Sequence, residues 1–302
     1  EPSRRFSRTA RASRGLLKIV VDAANGVGGV VAVPIYRALG CEVIPLYCDV
    51  DGNFPNHHAD PTKKANLTDL FKLVKKHKAD IGIGFDGDVD RLGGCDEKGN
   101  MLEGDRLLAL FARSILKDKP GATILGEVKC SRGLYEDVAK HGGKPIMWRT
   151  GHSHIKAAMK KLHAELAGEM SGHIFFKHRW FGFDDAIYSG ARLLKIVAAG
   201  KEPLSAHLAT IPERFSTPEI EFTCADNRKF EVIRKATAYF KDDLGLDVVT
   251  IDGARVEFPD GWGLIRASNT APKLVMRVEA DTKKRMAQIE KLIRDKVNEL
   301  IA

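Results

Sequence analysis

From residue 16 onward the chain reads as short apolar runs alternating with stretches of helical periodicity. Residues 16–22, Leu-Leu-Lys-Ile-Val-Val-Asp, form an apolar run that predicts a buried strand. A glycine turn follows at Asn25-Gly-Val-Gly-Gly29, then a helix to Leu39, then a second apolar run over 41–47, an order that fits a right-handed βαβ unit. Leu67, Leu70, Phe71 and Val74 recur at helical spacing ahead of a further strand over 81–85. Such runs suit a mainly parallel sheet covered by helices. The alternation then repeats, with a helix over 106–116, a strand near 122–125, a helix near Leu134, a strand near 145–148 and a helix after His152. From Thr217 the order changes to strand, helix, and strands over 248–251, 254–258, 264–267 and 274–280 before a charged terminal helix. The predicted fold is therefore α/β: two consecutive α/β domains with mainly parallel mixed sheets, 16–100 and 101–212, and a smaller α+β domain over 213–302. Residues 1–15, with five arginines, three serines and no apolar pattern, are expected to be a linker or flexible tail.

Composition agrees with several cores. The chain has 302 residues, 44% hydrophobic and 29% charged, room for two or three domains of about 100–150 residues each. It contains no run near the ~20 apolar residues of a membrane span and no apolar signal segment, which makes the cytosol the expected compartment and a membrane an unexpected partner. The five cysteines are widely spaced, with no C-x-x-C pair for zinc or thiol redox chemistry. A formal charge of +8 favours an anionic partner, but the basic residues are dispersed and lack an accompanying aromatic-rich motif, so small phosphorylated molecules are expected rather than nucleic acid.

Three loops carry candidate chemistry. Phe85-Asp-Gly-Asp-Val-Asp-Arg91 follows a predicted strand and places carboxylates at alternate positions. Folded into one loop, Asp86, Asp88 and Asp90 would repel one another, and a divalent cation removes that cost. Oxygen-only ligands indicate magnesium or manganese rather than zinc. An acidic surface turn is the plain rival. An EF-hand is excluded, because Arg91 occupies the sixth position that requires glycine and a strand leads in where a helix is needed. A phosphatase with an aspartyl nucleophile at Asp86 stays open as an alternative.

In Ala167-Gly-Glu-Met-Ser-Gly-His173, flanking glycines allow sharp turns. Glu169, Ser171 and His173 can offer an acceptor, a mixed donor and acceptor, and a titratable ring to a sugar's vicinal hydroxyls. A cap or turn is the rival reading. In Leu264-Ile-Arg-Ala-Ser-Asn-Thr-Ala-Pro272, a guanidinium, hydroxyls, an amide and turn N–H groups suit a phosphate dianion, Arg266 donating as a fork. Here the rival is an ordinary polar hairpin.

In this order and spacing the three loops resemble the α-D-phosphohexomutase superfamily, most closely its phosphomannomutase/phosphoglucomutase branch. Further stretches do as well: Tyr47-Cys-Asp-Val-Asp-Gly-Asn-Phe-Pro-Asn-His-His58, Val128-Lys-Cys130, Trp148-Arg-Thr-Gly-His-Ser153 and Trp180-Phe-Gly-Phe-Asp-Asp185. The resemblance implies that Asp86, Asp88 and Asp90 hold Mg2+ and that Arg91 sits beside the phosphoryl group in flight. It implies sugar hydroxyl binding by Glu169 and Ser171 and proton transfer by His173. Arg266, Ser268, Asn269 and Thr270 would grip the idle phosphate, and Lys129 and His152 would line the same cleft. The implied reaction interconverts hexose 1-phosphate and hexose 6-phosphate, of mannose or glucose, through a phosphoserine and a glucose or mannose 1,6-bisphosphate. Glu169, where the glucosamine branch usually has Gln, leans toward glucose and mannose phosphates.

Two departures matter. The branch carries its phosphoserine on a Thr-Ala-Ser-His-Asn-Pro type loop in a preceding domain, and nothing in residues 1–15 matches it; Ser7 and Ser13 have no strand or helix to position them. The expectation is a chain lacking that N-terminal domain and inactive alone, with the missing domain as a partner, in a monomer or dimer; a noncatalytic sugar-phosphate-binding protein is the alternative. Val89 stands where the branch often has glycine.

Overall fold

The first apolar run becomes β1 (Lys18–Asp22), followed by α1 (Gly28–Ala38), β2 (Glu42–Leu46), α2 (Thr68–His77), β3 (Ile81–Phe85) and β4 (Leu92–Asp96). The computed structural model describes residues 16–269 and 271–302, so the expected tail and Thr270 lie outside the described residues. The first sheet has the order β2-β1-β3-β4. Strand β1 lies parallel to both neighbours, and β4 closes the sheet antiparallel to β3. Strand β1, buried from Ile19 onward, is inside, whereas β2 carries Pro45, which cannot complete a ladder on both sides and suits an edge. Helix α2 turns Leu70 and Val74 onto a core with Val20, Leu46 and Cys95 and leaves its lysines outside.

The second α/β layer contains α3 (Gly104–Asp118), β5 (Thr123–Glu127), α4 (Arg132–Lys140), β6 (Lys144–Trp148), α5 (His152–Leu162), β7 (Leu166–Gly168), β8 (Ile174–Phe176), α6 (Ala186–Ala199) and α7 (Leu204–Ala209). Its sheet order is β6-β5-β7-β8, with β7 parallel to β5 and antiparallel to β8. Helix α6 is started by Asp185, whose side chain accepts from Tyr188 N.

The C-terminal part comprises β9 (Phe215–Ser216), β10 (Ile220–Thr223), α8 (Asp226–Ala238), a π turn at Tyr239–Asp243, β11 (Asp247–Val249), β12 (Ala254–Phe258), β13 (Gly261–Ala267), β14 (Lys273–Ala280) and α9 (Lys283–Ile301). The sheet is antiparallel throughout, in the order β10-β14-β13-β12-β11 with β9 added on β14. Val232 and Ala236 of α8 and Ile289, Ile293 and Val297 of α9 share a core with Val256, Ile265 and Met276. The architecture is therefore the two consecutive α/β domains and terminal α+β domain expected from the pattern.

The pattern reading assigned no element to β4, β7, β8, β9, α6 or α7. Strand β4, Leu-Gly-Gly-Cys-Asp, lacks alternation, and β7 and β8 have three residues each, too few for a period to register. The described residues form two compact units: one runs to residue 126 and also takes in 134–146 and 152–212; the other gathers 127–133, 147–151 and everything from 213 on. No helix among the described residues is long and apolar enough to cross a membrane.

Candidate active site

Each of the three loops singled out in the sequence is the turn of a hairpin. The first joins β3 to β4, with Phe85 opposite Leu92. Its backbone folds around Asp86, whose Oδ1 accepts from Asp90 N and Arg91 N, both at 3.1 Å. Ligand atoms of Asp86, Asp88 and Asp90 lie within 4.8 Å of one another. Burial first, and the adjoining Asp90 carboxyl second, push the Asp86 pKa up to about 7, although Arg91 pulls it the other way. Asp90 Oδ1 is buried and accepts no hydrogen bond among the described residues. Crowded carboxylates, the raised pKa of Asp86 and an unsatisfied buried oxygen fit a hard divalent cation held by Asp86, Asp88 and Asp90. Val89, in the place where glycine was expected, has φ +66°, a region that costs a branched residue about 1–2 kcal/mol. The loop thus keeps the glycine geometry without the glycine.

The second loop joins β7 to β8, with Gly168 opposite Ile174. Here Gly172, at φ +90°, approaches so closely that a Cβ would sit 2.7 Å from Leu92 O. That approach lets Leu92 N donate to Gly172 O at 3.0 Å and sets Arg91 opposite His173 in an antiparallel bridge. The two hairpin turns are thereby joined. His173 Nε2 lies 3.3 Å from Asp90 Oδ2, and its Nδ1 lies 3.2 Å from Glu169 Oε2 and 2.8 Å from Ser171 Oγ. Burial disfavours the charged ring, but the Glu169 hydrogen bond and the charges of Asp90 and Glu169 outweigh it, and the His173 pKa is raised. Arg91 Nε lies 3.2 Å from Asp86 Oδ2. The His152 ring, at the start of α5, stacks on His173 with centroids 6.2 Å apart. Asp184, which pairs with Lys156 at 3.1 Å, brings a further carboxylate within 4.8 Å of the ligand atoms of Asp90 and His173; in the sequence its Trp180–Asp185 stretch carries only the family resemblance.

The third loop joins β13 to β14, with Ala267 opposite Leu274. The hairpin reading and the phosphate reading therefore describe one object. Arg266 is buried; its Nε donates to Asp252 Oδ2 at 3.0 Å, and its Nη2 has no hydrogen-bond partner among the described residues. A buried guanidinium with a spare donor is suited to an anion. Ser268 is buried and Asn269 exposed beside it. Lys229, overlooked in the sequence, pins the loop: its Nζ donates to Ser268 O at 2.7 Å and to Ala271 O at 3.3 Å. The available signal was a lysine on the buried face that α8 otherwise fills with Val232 and Ala236.

Lys129 belongs to the same compact unit as this loop. Its segment is clamped through backbone carbonyls, with Arg255 Nη1 donating to Val128 O and to Cys130 O (3.0 Å) and Arg277 Nη1 donating to Lys129 O. Lys129 Nζ donates to Glu219 Oε1 at 2.8 Å. Burial works against its charge, yet Glu127 and Glu219 prevail and hold the lysine pKa above its ordinary value.

Three family models match consecutive stretches of this chain: phosphoglucomutase/phosphomannomutase alpha/beta/alpha domain II over residues 4–99, alpha/beta/alpha domain III over 103–215, and the C-terminal domain over 219–296. The chain belongs to the phosphoglucomutase/phosphomannomutase family. It is 50% identical over 281 residues to a phosphomannomutase/phosphoglucomutase of Pseudomonas aeruginosa, covering 93% of this chain and 60% of that protein. It is 51% identical over 275 residues to a phosphoglucomutase of Neisseria meningitidis serogroup A, covering 91% and 60%. A crystal structure of a phosphoglucomutase/phosphomannomutase family protein from Burkholderia thailandensis superposes with a TM-score of 0.88 at 48% identity, covering 95% of this chain and 61% of that one. The chain thus spans about 60% of the length of the curated relatives it matches.

Proposed function

We propose that this family member provides the metal, sugar and phosphate groups of a phosphohexomutase that interconverts hexose 1-phosphate and hexose 6-phosphate, of mannose or glucose, through a phosphoserine and a 1,6-bisphosphate intermediate. The observation that supports the proposal is the pairing of two hairpin turns at Arg91 and His173, which brings the Asp86, Asp88 and Asp90 loop next to the loop of Glu169, Ser171 and His173. When bound by Asp86, Asp88 and Asp90, Mg2+ supplies charge neutralisation for phosphoryl transfer. Arg91, 38% exposed at its side chain, faces the transferring phosphoryl group. Glu169 and Ser171 orient the sugar hydroxyls. His173, bridged between Asp90 and Glu169, moves the hydroxyl proton. Arg266, Ser268, Asn269 and Thr270 hold the phosphate at rest, with Lys129 and His152 as further substrate contacts.

The phosphoryl donor called for by this reading matches none of the three loops, so the 302 residues alone are expected to bind sugar phosphate without turning it over. An aspartyl phosphatase is disfavoured by Asp86, which is 3% exposed and whose Oδ1 is engaged by two backbone N–H groups. None of the five cysteines forms a disulfide among the described residues, which suits a reducing compartment, and we place the protein in the cytosol.

The test is calorimetric titration with mannose 1-phosphate and glucose 1-phosphate, with and without Mg2+. Binding that strengthens with Mg2+ and falls about ten-fold or more in Arg266→Ala, through loss of charge-assisted hydrogen bonds, is expected. A folded protein that binds neither sugar phosphate sinks the proposal. Magnesium-dependent release of inorganic phosphate by this chain alone, abolished by Asp86→Asn, would favour the phosphatase instead.

A further inference from the structure

Arg266 and Lys129, assigned separately to substrate binding, are joined by an unbroken run of hydrogen bonds inside one compact unit. Asp252 Oδ2 accepts from Arg266 Nε and from Thr150 N, each at 3.0 Å. The hydroxyl of the same threonine donates to Glu127 Oε2 at 2.8 Å, and that carboxylate oxygen also accepts from Lys129 N at 2.8 Å. Gly253 makes the first link possible. At φ +90° it lets the turn between β11 and β12 pass so close to β13 that a Cβ there would sit 2.4 Å from Ile265 O and 2.7 Å from the Arg266 Cβ. Asp252 is thereby delivered to Arg266 Nε, which shares its guanidinium edge with the unpartnered Nη2.

A carboxylate next to an anion site opposes the anion's charge, so its presence calls for a compensating role. Fixing a guanidinium in its fork geometry is such a role, because a bidentate donor loses its advantage once it rotates. We propose that Asp252 is a positioning residue that acts through Thr150 and Glu127 to hold Arg266 and the Lys129 segment in one fixed arrangement for a phosphate group. The inference rests on the phosphate reading of the third loop.

The test measures the affinity of the full chain for inorganic phosphate and for mannose 6-phosphate by calorimetry, with thermal melts as a control for folding. Asp252→Ala is expected to weaken both ligands about five-fold or more, although it removes a repelling charge. Asp252→Asn keeps an acceptor at the same place and is expected to bind at least as tightly as the unaltered chain. Thr150→Val, which changes no charge, is expected to weaken binding by about two-fold or more by cutting the link to Glu127. It keeps the proposal open to test if Asp252→Ala does not fold. Tighter or unchanged binding in folded Asp252→Ala, unchanged binding in Thr150→Val, or an Asp252→Asn as weak as the alanine variant each overturns the positioning role. Arg266→Ala separates the two readings: if it leaves phosphate affinity unchanged, or the unaltered chain binds no phosphate, the phosphate loop fails and the positioning role with it. If Arg266→Ala weakens binding while Asp252→Ala does not, only the positioning role fails.

Discussion

Asp86 is more than nine-tenths buried beside two other carboxylates, and its pKa of about 7 lies far above the ordinary 3.8. For a carboxyl raised in the folded state, the penalty is absent below its ordinary value and complete above the raised one, so the metal-free protein loses stability as pH rises toward 7. A cation can offset that penalty only where Asp86 is ionised. Added Mg2+ is therefore expected to raise the melting temperature more at pH 8 than at pH 6, and equal shifts would remove Asp86 from the site. A second titrating group lies near the end of β1, where His57 Nε2 approaches both oxygens of buried Asp22 at 3.2 and 3.1 Å. The hydrogen bond to Asp22 raises the His57 pKa, opposed in part by burial. With the folded value above the unfolded one, this stabilisation is complete below the ordinary histidine pKa and is lost as pH rises through the raised value. Asp22→Asn should accordingly lower the urea midpoint more at pH 6 than at pH 9.

Between neighbouring elements, the determining contacts are between turns. Gly172 allows the β7–β8 turn to reach Leu92 O, and Gly172→Ala adds both a clash and a disfavoured φ. A cost of about 1–3 kcal/mol in urea unfolding is expected, together with weaker Mg2+ binding, since Arg91 and His173 would part. In the other unit, Arg255 stacks over Trp262 at 3.8 Å and ties down two carbonyls next to Lys129. Arg255→Leu leaves Val128 O and Cys130 O buried without this donor. A loss of roughly 2 kcal/mol or more is expected, because each unsatisfied buried acceptor costs about 1–3 kcal/mol. If equilibrium unfolding shows no loss, those carbonyls have other partners.

Across the whole molecule, the second compact unit is not continuous in sequence: it recruits 127–133 and 147–151 to the segment that begins at 213. A fragment starting at residue 213 would keep α8, α9 and the antiparallel sheet but strip Arg255, Arg277 and Asp252 of their acceptors and donors on the recruited segments. Such a fragment is expected to melt well below the same residues in the full chain, by circular dichroism, and to bind phosphate poorly even where folded. A fragment as stable as the parent would mean that the recruited segments contribute little.

Local chemistry was enough to make the sequence informative about elements and loops. The apolar run 81–85 became a strand at those same bounds because burial on both faces leaves a signal in every residue, and 254–258 did so through its alternation of apolar and polar positions. The acidic, sugar and phosphate loops were legible for the same reason, since each concentrates its chemistry within a few consecutive residues. Hidden were β4, β7 and β8, whose brevity or glycine content erases any period, and Lys229 and Asp252, each of which reads alone as a helix lysine or a turn aspartate. The pairing of Arg91 with His173 and the run from Arg266 through Asp252 to Lys129 were decided by tertiary structure alone. They join residues far apart in the chain, in part through backbone groups, and a backbone N–H or carbonyl has the same identity in almost every residue, so it leaves no mark in the sequence.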